Sequence, residues 1–202
     1  MRRKIIIVSG TVLLVLVFFV NQYIGSVHDQ INSRKGMLNF VYHNLRNTSY
    51  ILDELIPNIE NEETDYEANE ATLMALSFYF VKLDTALSQY RMHYPSERLA
   101  YGSIPNFDYI ASTLTSGSGV ANNLYYSGIP RDNAISENEL LYLTYLRDDI
   151  LIMVESLISP DNPPQENDKL TIRQLNSILD TFFSKWSFHS DNSPYELLRT
   201  EE

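Results

Sequence analysis

The chain has 202 residues, a formal net charge of −11 and no cysteine. The first four residues contribute +3, so the rest of the chain carries −14. A surface this acidic argues against a nucleic-acid partner, because phosphate binding requires lysine and arginine. The lack of cysteine excludes a disulfide scaffold, so packing must hold the fold. The 14 tyrosines and 9 phenylalanines exclude a compositionally disordered chain.

The N-terminus combines a basic tail with a long apolar run. Residues 1–4 contain three cationic side chains, and Ile5–Ile24 contains none that is charged. A helix rises ~1.5 Å per residue, so about 20 mostly apolar residues cross a bilayer core of ~30 Å. The run predicts a transmembrane anchor in the lipid bilayer, with Tyr23 near the far interface. Because basic residues stay inside, we expect a cytoplasmic N-terminus and an extracytoplasmic domain on a bacterial cell membrane.

A cleaved secretory signal peptide is the alternative interpretation of this segment. Such a signal has an apolar region of ~7–15 residues and then a cleavage site with small residues. Here the run is slightly longer, and the best substitute for an A-x-A triplet is Ile24 with Ser26. The pattern favours a retained anchor over secretion after cleavage. Both interpretations export the remainder of the chain.

Helical periodicity dominates the exported part, residues 25–190. Apolar residues recur three and four apart, and no strand-like alternation of useful length appears. The first helix is predicted at about 27–57, with Pro57 at its end, and the second at about 65–94, before Pro95. The second helix has the clearest apolar seam: Leu73, Leu76, Phe80, Leu83, Leu87, Tyr90 and Tyr94.

Three further helices are predicted at about residues 107–126, 137–158 and 171–188. Within the first of these, Gly117 and Gly119 each cost ~1 kcal/mol relative to alanine in a helix interior. We therefore expect that helix to kink or split at its centre. Residues 191–202 are polar and are expected to fray as a C-terminal tail.

Capping signals mark the predicted helix starts. A serine or threonine followed three residues later by glutamate forms a capping box, in which both side chains satisfy backbone N–H groups. Thr64 with Glu67 and Ser136 with Glu139 fit this pattern, and Thr171 is the expected cap of the last helix.

These elements predict an all-α fold, with an N-terminal transmembrane helix followed by an extracytoplasmic four- or five-helix up-and-down bundle. Each predicted helix has one apolar stripe, and a bundle buries such stripes most simply. The spacing is close to 3.5 residues per turn, so self-association through a helix face is also reasonable.

No catalytic, cofactor-binding or metal site is evident from the sequence. His28, His43, His93 and His189 are far apart, without the spacing of a zinc or di-iron site. No G-x-S-x-G motif occurs. Neighbouring carboxylates diverge by ~100° on a helix and do not converge on one atom. We expect no enzyme activity and no cofactor.

Aromatic density is the remaining hint of a binding site. Tyrosine offers contact area and a polar tip, which suits ligand sites and interfaces. The candidate ligand or partner surface consists of Tyr94, Tyr101, Phe107, Tyr109, Tyr125 and Tyr126. The leading hypothesis is a membrane-anchored interaction or accessory module of the cell envelope, with a protein partner or a homo-oligomer. The alternative is a small-molecule-binding or sensor-like module with its site at residues 94–126.

Overall fold

The fold is known from a computed structural model. It describes residues 2–61, 65–101, 106–115, 119–121, 124–126, 128–129, 134–161, 163, 165–187, 190 and 192–200. In residues 2–15, 119–121, 124–126 and 200 the backbone alone is described. The chain forms two compact units, Met1–Gly36 and Met37–Glu202.

The first unit consists of the N-terminal part of helix α1, which spans Arg2–Glu60. The backbone of the predicted anchor is helical throughout. Its described apolar side chains are exposed: Leu16, Val17, Phe18, Phe19, Val20, Tyr23 and Ile24. Within the described part of the chain, no helix has both the length and the apolar character needed for crossing a membrane. The side chains of residues 5–15, more than half of the predicted anchor, lie outside that part.

The second unit is an all-α bundle, as the periodicity predicts. The rest of α1 is joined there by four helices: α2 (Tyr66–His93), α3 (Phe107–Thr113), α4 (Glu137–Leu157) and α5 (Ile172–Lys185). Single 3₁₀ turns lie at Pro95–Glu97 and Pro194–Leu198. The predicted apolar seam of α2 points into the core from Leu73 to Tyr90, and α5 buries Ile172, Leu175, Leu179, Phe182 and Phe183.

Helices α1 and α2 pack antiparallel, and so do α4 and α5. Met37 in α1 lines the same groove as His93 at the end of α2, whereas Asn58 lines a groove with Ala68 at its start. A similar argument applies to α4 and α5, because Lys185, at the end of α5, bonds to Asp149 in the middle of α4 while a loop joins their other ends.

The residues that cap α4 and α5 are the predicted ones, whereas the cap of α2 is a different residue. The Ser136–Glu139 capping box is complete, and Thr171 forms one with Gln174. The cap of α2 is Asp65, which accepts from Ala68 N–H at 2.9 Å, and Thr64, the predicted cap, lies outside the described residues. An aspartate at this position accepts the same free N–H that a threonine would.

Helix α1 extends about one turn beyond Pro57, where the sequence predicts that the first helix stops or begins its exit. Helix α1 continues to Glu60, and the Pro57 carbonyl accepts from Asn61 N–H at 2.9 Å. A proline removes the hydrogen bond of its own nitrogen and its ring crowds the carbonyl four residues earlier, but its own carbonyl can still accept a hydrogen bond. Leu55 and Ile56 are buried beside it, so packing supports this last turn.

The third predicted helix, 107–126, is shorter than expected. Helix α3 ends at Thr113 and is followed by strands β1 (Gly119–Ala121) and β2 (Leu124–Tyr126). They pair antiparallel, and a third strand, β3 (Arg199–Thr200), pairs with β2. Glycine disfavours helix, and pairing with the distant C-terminus provides another set of backbone hydrogen bonds.

Residues 192–200 of the predicted polar tail, 191–202, are part of the fold. Ser193 caps the 3₁₀ turn Pro194–Leu198 by accepting from Tyr195 N–H. Tyr195 and Leu198 are buried, and Arg199 pairs with Tyr126 in the sheet. The two apolar side chains among the polar residues explain this, because their burial outweighs the ordering of a short segment.

A continuous aromatic cluster occupies the part of the core where α2, α3, α4, α5 and the C-terminal turn meet. Phe182 and Trp186 stack with ring centroids 5.6 Å apart, and Tyr142 meets Trp186 edge-on at 5.2 Å. Tyr195 lies 5.9 Å from Trp186. At the other end, Phe107 lies 5.7 Å from Phe182. Contacts among these side chains fix the positions of α3, α4, α5 and the C-terminal turn relative to one another.

Candidate interaction surface

Two of the predicted surface residues belong to the core. Tyr101 and Phe107 are buried, with ring centroids 6.1 Å apart. The Tyr101 hydroxyl donates to Asp84 Oδ1 at 2.7 Å and accepts from Phe107 N–H at 3.1 Å. This bridge fastens the loop after α2 to α2 itself and to the start of α3. Their described contacts are structural.

The same bridge affects the ionisation of Tyr101. Burial raises its pKa well above the usual value for tyrosine, and the Asp84 carboxylate raises it further. The hydrogen bond from Phe107 N–H acts in the opposite direction but is weaker than burial. Tyr101 is therefore a neutral donor at physiological pH.

The other predicted residues are distributed over the second unit. Tyr94 is half-buried beside Tyr90, with ring centroids 5.0 Å apart. Tyr109 packs partly buried against the core. Tyr125 and Tyr126 lie in β2, and their side chains are outside the described part. Of the six, Tyr94 alone lines one of the described grooves.

Helix α2 has two apolar stripes, and one of them faces outward. The inner stripe is the predicted seam, buried from Leu73 to Tyr90. The second, here named the outer stripe, has the spacing four, three, four and seven: Met74, Phe78, Val81, Thr85 and Met92. All five side chains are exposed, and Phe78 has 58 % of its surface exposed. A run of large exposed apolar side chains on one helix face is typical of an interface.

A groove between α1 and α2 adjoins the outer stripe. It has a volume of about 620 Å³, and Met37 and Phe40 from α1 form one wall. The α2 wall and the end of the groove are formed by Phe78, Val81, Lys82, Thr85, Ala86, Gln89, Tyr90, His93 and Tyr94. The surface that lines the groove is mostly apolar. The groove therefore extends the apolar surface from α2 onto α1.

Most of the charges of α2 that border this surface lie at its two ends. The start of α2 is acidic, with Glu67 and Glu70, whereas Arg91 and His93 lie in its last turn. Negative side chains at the start of a helix and positive side chains at its end both interact favourably with the helix dipole. Between them, the Lys82 ammonium lies 4.2 Å from the Phe78 ring centroid, so its charge borders the apolar area.

A second, smaller cleft lies between α4 and α5, with a volume of about 220 Å³. Asp149 at its edge accepts from Trp186 Nε1 at 2.8 Å and pairs with Lys185 at 2.7 Å. Its charge is already matched within the chain. Ile152, with 57 % of its surface exposed, stands alone as a large exposed apolar side chain in this lining. The cleft has no continuous apolar stripe like that of α2.

Sequence reasoning missed the outer stripe although its signal was present. Met74, Phe78 and Val81 have the same three-four spacing as the inner stripe. Their separation from that stripe by about half a helical turn follows from the ~100° rotation per residue. Over the described residues, no group of three His, Asp or Glu side chains could hold a metal ion. No family model, curated protein or solved structure matches the chain.

Proposed function

We propose that the protein is a membrane-anchored, extracytoplasmic interaction module of the cell envelope that binds a protein helix, without catalytic chemistry. The outer stripe of α2 carries this proposal. Monomeric proteins rarely expose an extended apolar surface, and such surfaces mark protein contacts. The adjoining groove offers the concave shape that receives an amphipathic helix.

The anchor is supported by the N-terminal sequence and by the backbone there. Ile5–Ile24 has the composition and length of a membrane-spanning segment. It is helical throughout, which satisfies its backbone polar groups internally, as a bilayer requires. The exposed side chains from Leu16 to Ile24 are apolar except Asn21 and Gln22.

Site-specific photo-crosslinking in intact bacterial cells tests the binding function. A photoreactive phenylalanine analogue is placed at position 78 of the full chain or, as the matched control, at the equally exposed position 152. We expect a discrete protein adduct from position 78 and none from position 152. Equal labelling at the two positions, or no adduct from position 78, would contradict the proposal.

Membrane extraction and protease protection test the anchor and its orientation. The full chain should remain with membranes in alkaline carbonate, and its C-terminal domain should be digested when protease is added outside intact spheroplasts. Release by carbonate, or full protection from the protease, would contradict this part of the proposal. Release into the medium as a shortened chain would support the signal-peptide alternative.

A small-molecule-binding or sensor-like module is the second candidate. The groove volume of about 620 Å³ lies within the range of ligand sites, and Tyr94 contributes a polar tip at its end. A ligand bound there should raise the melting temperature of the wild-type chain, and a bulky Ala86→Trp substitution should abolish that shift. A screen without any such ligand would leave protein binding as the favoured function.

A further inference from the structure

We propose that the partner helix lies lengthwise between α1 and α2, with an acidic side chain against Lys82 and a basic side chain against Glu54. This inference rests on the proposed function in one respect, that a protein helix binds beside the outer stripe. It adds the path of that helix and the charges that it carries.

Two described grooves lie between α1 and α2, and both open on the same side of the helix pair. The first, beside the outer stripe, has a volume of about 620 Å³, and the second, at the start of α2, has a volume of about 370 Å³. In α1, Phe40 lines the first groove and Asn58 lines the second. In α2, Gln89 lines the first and Ala71 the second. Each pair is separated by about five whole turns of ~3.6 residues, so its two members share one helix face.

The two grooves form one track, here named the long groove, from Ala68 to Tyr94 of α2. At ~1.5 Å per residue it is about 39 Å long, which matches a helix of about 26 residues. The side chains of Ala68, Ala71 and Ala75 line its start and allow a helix backbone to approach closely. Phe78 lines the other part, which receives large apolar side chains. An amphipathic helix has this length and shape, whereas a small ligand fills the first groove alone.

Lys82 is a half-buried cation without a described anionic partner. Its ammonium lies 4.2 Å from the Phe78 ring centroid, and among the described residues it forms no ion pair. Asp84, two residues later, lies about 200° further round the helix and accepts from the Tyr101 hydroxyl at 2.7 Å. No carboxylate occurs among the described residues that line the first groove. A partner carboxylate therefore meets an attractive charge here and no repulsion from the lining.

Glu54 presents the opposite charge in the second groove. Its carboxylate is exposed on the α1 wall and forms no ion pair with a described residue. Asn58 lines this groove with Ala68, and the two helices run antiparallel, so Glu54 lies level with Thr72. That level is about ten residues, or about 15 Å, before Lys82 along α2. A helix that pairs with both charges therefore carries an acidic and a basic side chain about ten residues apart, on opposite flanks of its apolar stripe.

A pair of synthetic peptides tests the charge at Lys82. The first is an amphipathic helix of about 26 residues with a leucine stripe, a glutamate on one flank and a lysine about ten residues away on the other. In the second peptide, lysine replaces the glutamate. Binding to the full chain in lipid nanodiscs is measured by fluorescence anisotropy.

The second peptide should bind about tenfold more weakly than the first, because it places a cation against Lys82. Lys82→Glu should reverse this preference, whereas Lys82→Arg and the exposed control Lys169→Glu should preserve it. Equal binding of the two peptides, or no saturable binding of the first, overturns the proposal.

The charge at Glu54 is tested in the same way. Glu54→Lys should weaken binding of the first peptide about threefold, a small factor because the side chain is exposed. A peptide whose lysine is replaced by glutamate should bind this variant as the first peptide binds the wild type. The control Glu155→Lys, at an exposed position on α4, should have no effect. Failure of the exchanged peptide to restore binding overturns the pairing with Glu54.

Photo-crosslinking along α2 tests the lengthwise path. A photoreactive phenylalanine analogue at position 71 or at position 89, both exposed, should label the first peptide, and the same analogue at position 152 should not. Labelling at position 89 alone overturns the lengthwise path.

The adduct in cells separates this inference from the proposed function. The adduct from position 78 should be lost in Lys82→Glu and retained in Lys82→Arg. An adduct that persists in Lys82→Glu overturns this inference but retains the proposed function, and the absence of any wild-type adduct removes both. An adduct between two copies of this chain overturns the inference, because a second copy then occupies the groove.

Discussion

The two faces of helix α2 have the same spacing of apolar residues and opposite surroundings. Phe80, on the inner face, is completely buried and lies 5.7 Å from Phe107. Phe78, two residues earlier, is mostly exposed and has Lys82 beside its ring. Periodicity thus identifies a helix and its apolar positions. The packing of other elements decides which of those positions form the core and which remain available for a partner.

The largest difference in the free energy of unfolding is expected between two separate variants, in which one or the other of these phenylalanines is replaced by alanine. Phe80→Ala should lower the free energy of unfolding by about 3–5 kcal/mol, because it leaves a cavity in the core. Phe78→Ala should change it by less than about 0.5 kcal/mol at low protein concentration. Urea unfolding followed by circular dichroism measures both. Similar losses in the two variants would show that the faces do not differ as described.

Buried and exposed side chains should differ in the same way when the buried one lies in the C-terminal turn. Tyr195→Ala should lower the free energy of unfolding by about 3 kcal/mol, since its buried ring contacts Tyr142 and Trp186. Thr181→Ala, an exposed substitution on α5, is the control and should be nearly neutral. If Tyr195→Ala is also neutral, the segment after residue 191 is a polar tail, as its composition predicts.

Partly buried and exposed polar contacts should also differ in their effect on the free energy of unfolding, but by less than the apolar side chains do. Asp149→Ala should cost about 1–3 kcal/mol in unfolding free energy, because Trp186 N–H loses its acceptor at the edge of the core. Asp161→Ala breaks an exposed ion pair with Lys169 of similar length, 2.8 Å, and should leave stability unchanged. Thermal melting distinguishes them, and a larger loss in Asp161→Ala would contradict the argument.

At alkaline pH, the raised pKa values of the buried tyrosines should lower the free energy of unfolding. Burial raises the pKa of Tyr101, Tyr142 and Tyr195 above the ordinary value of 10.0. The unfolded chain therefore loses these protons first, so stability is unaffected below about pH 10 and falls as the pH rises further. Tyr101→Phe should make this fall shallower by up to about 1.4 kcal/mol per pH unit.

Urea unfolding from about pH 8 to about pH 11 measures these slopes. Tyr101→Phe also loses the hydrogen bonds to Asp84 and Phe107, which lowers stability at every pH and leaves the slope as the informative quantity. Equal slopes for the wild type and Tyr101→Phe would contradict the raised pKa.

Local signals in the sequence predicted the helices because their causes are local. The Ser136–Glu139 box lies within one turn, and the seam of α2 repeats from Leu73 to Tyr90 within a helix of 28 residues. The end of α3 at Thr113 was missed because it depends on strands that pair with residues 199–200, far away in the chain. Burial of Tyr101 was missed for a similar reason, since Asp84 and Phe183 approach it only in the folded chain.

The sequence by itself determined the all-α class, the approximate positions of the helices and two of their caps, since helix formation depends on contacts within one or two turns. Only the tertiary structure decided that α3 is short, that the C-terminal segment packs into the core and that α2 exposes a second apolar stripe. The physical reason is that burial is a property of a residue's neighbours in space. The same spacing of apolar residues therefore produces a core on one side of α2 and an exposed surface on the other.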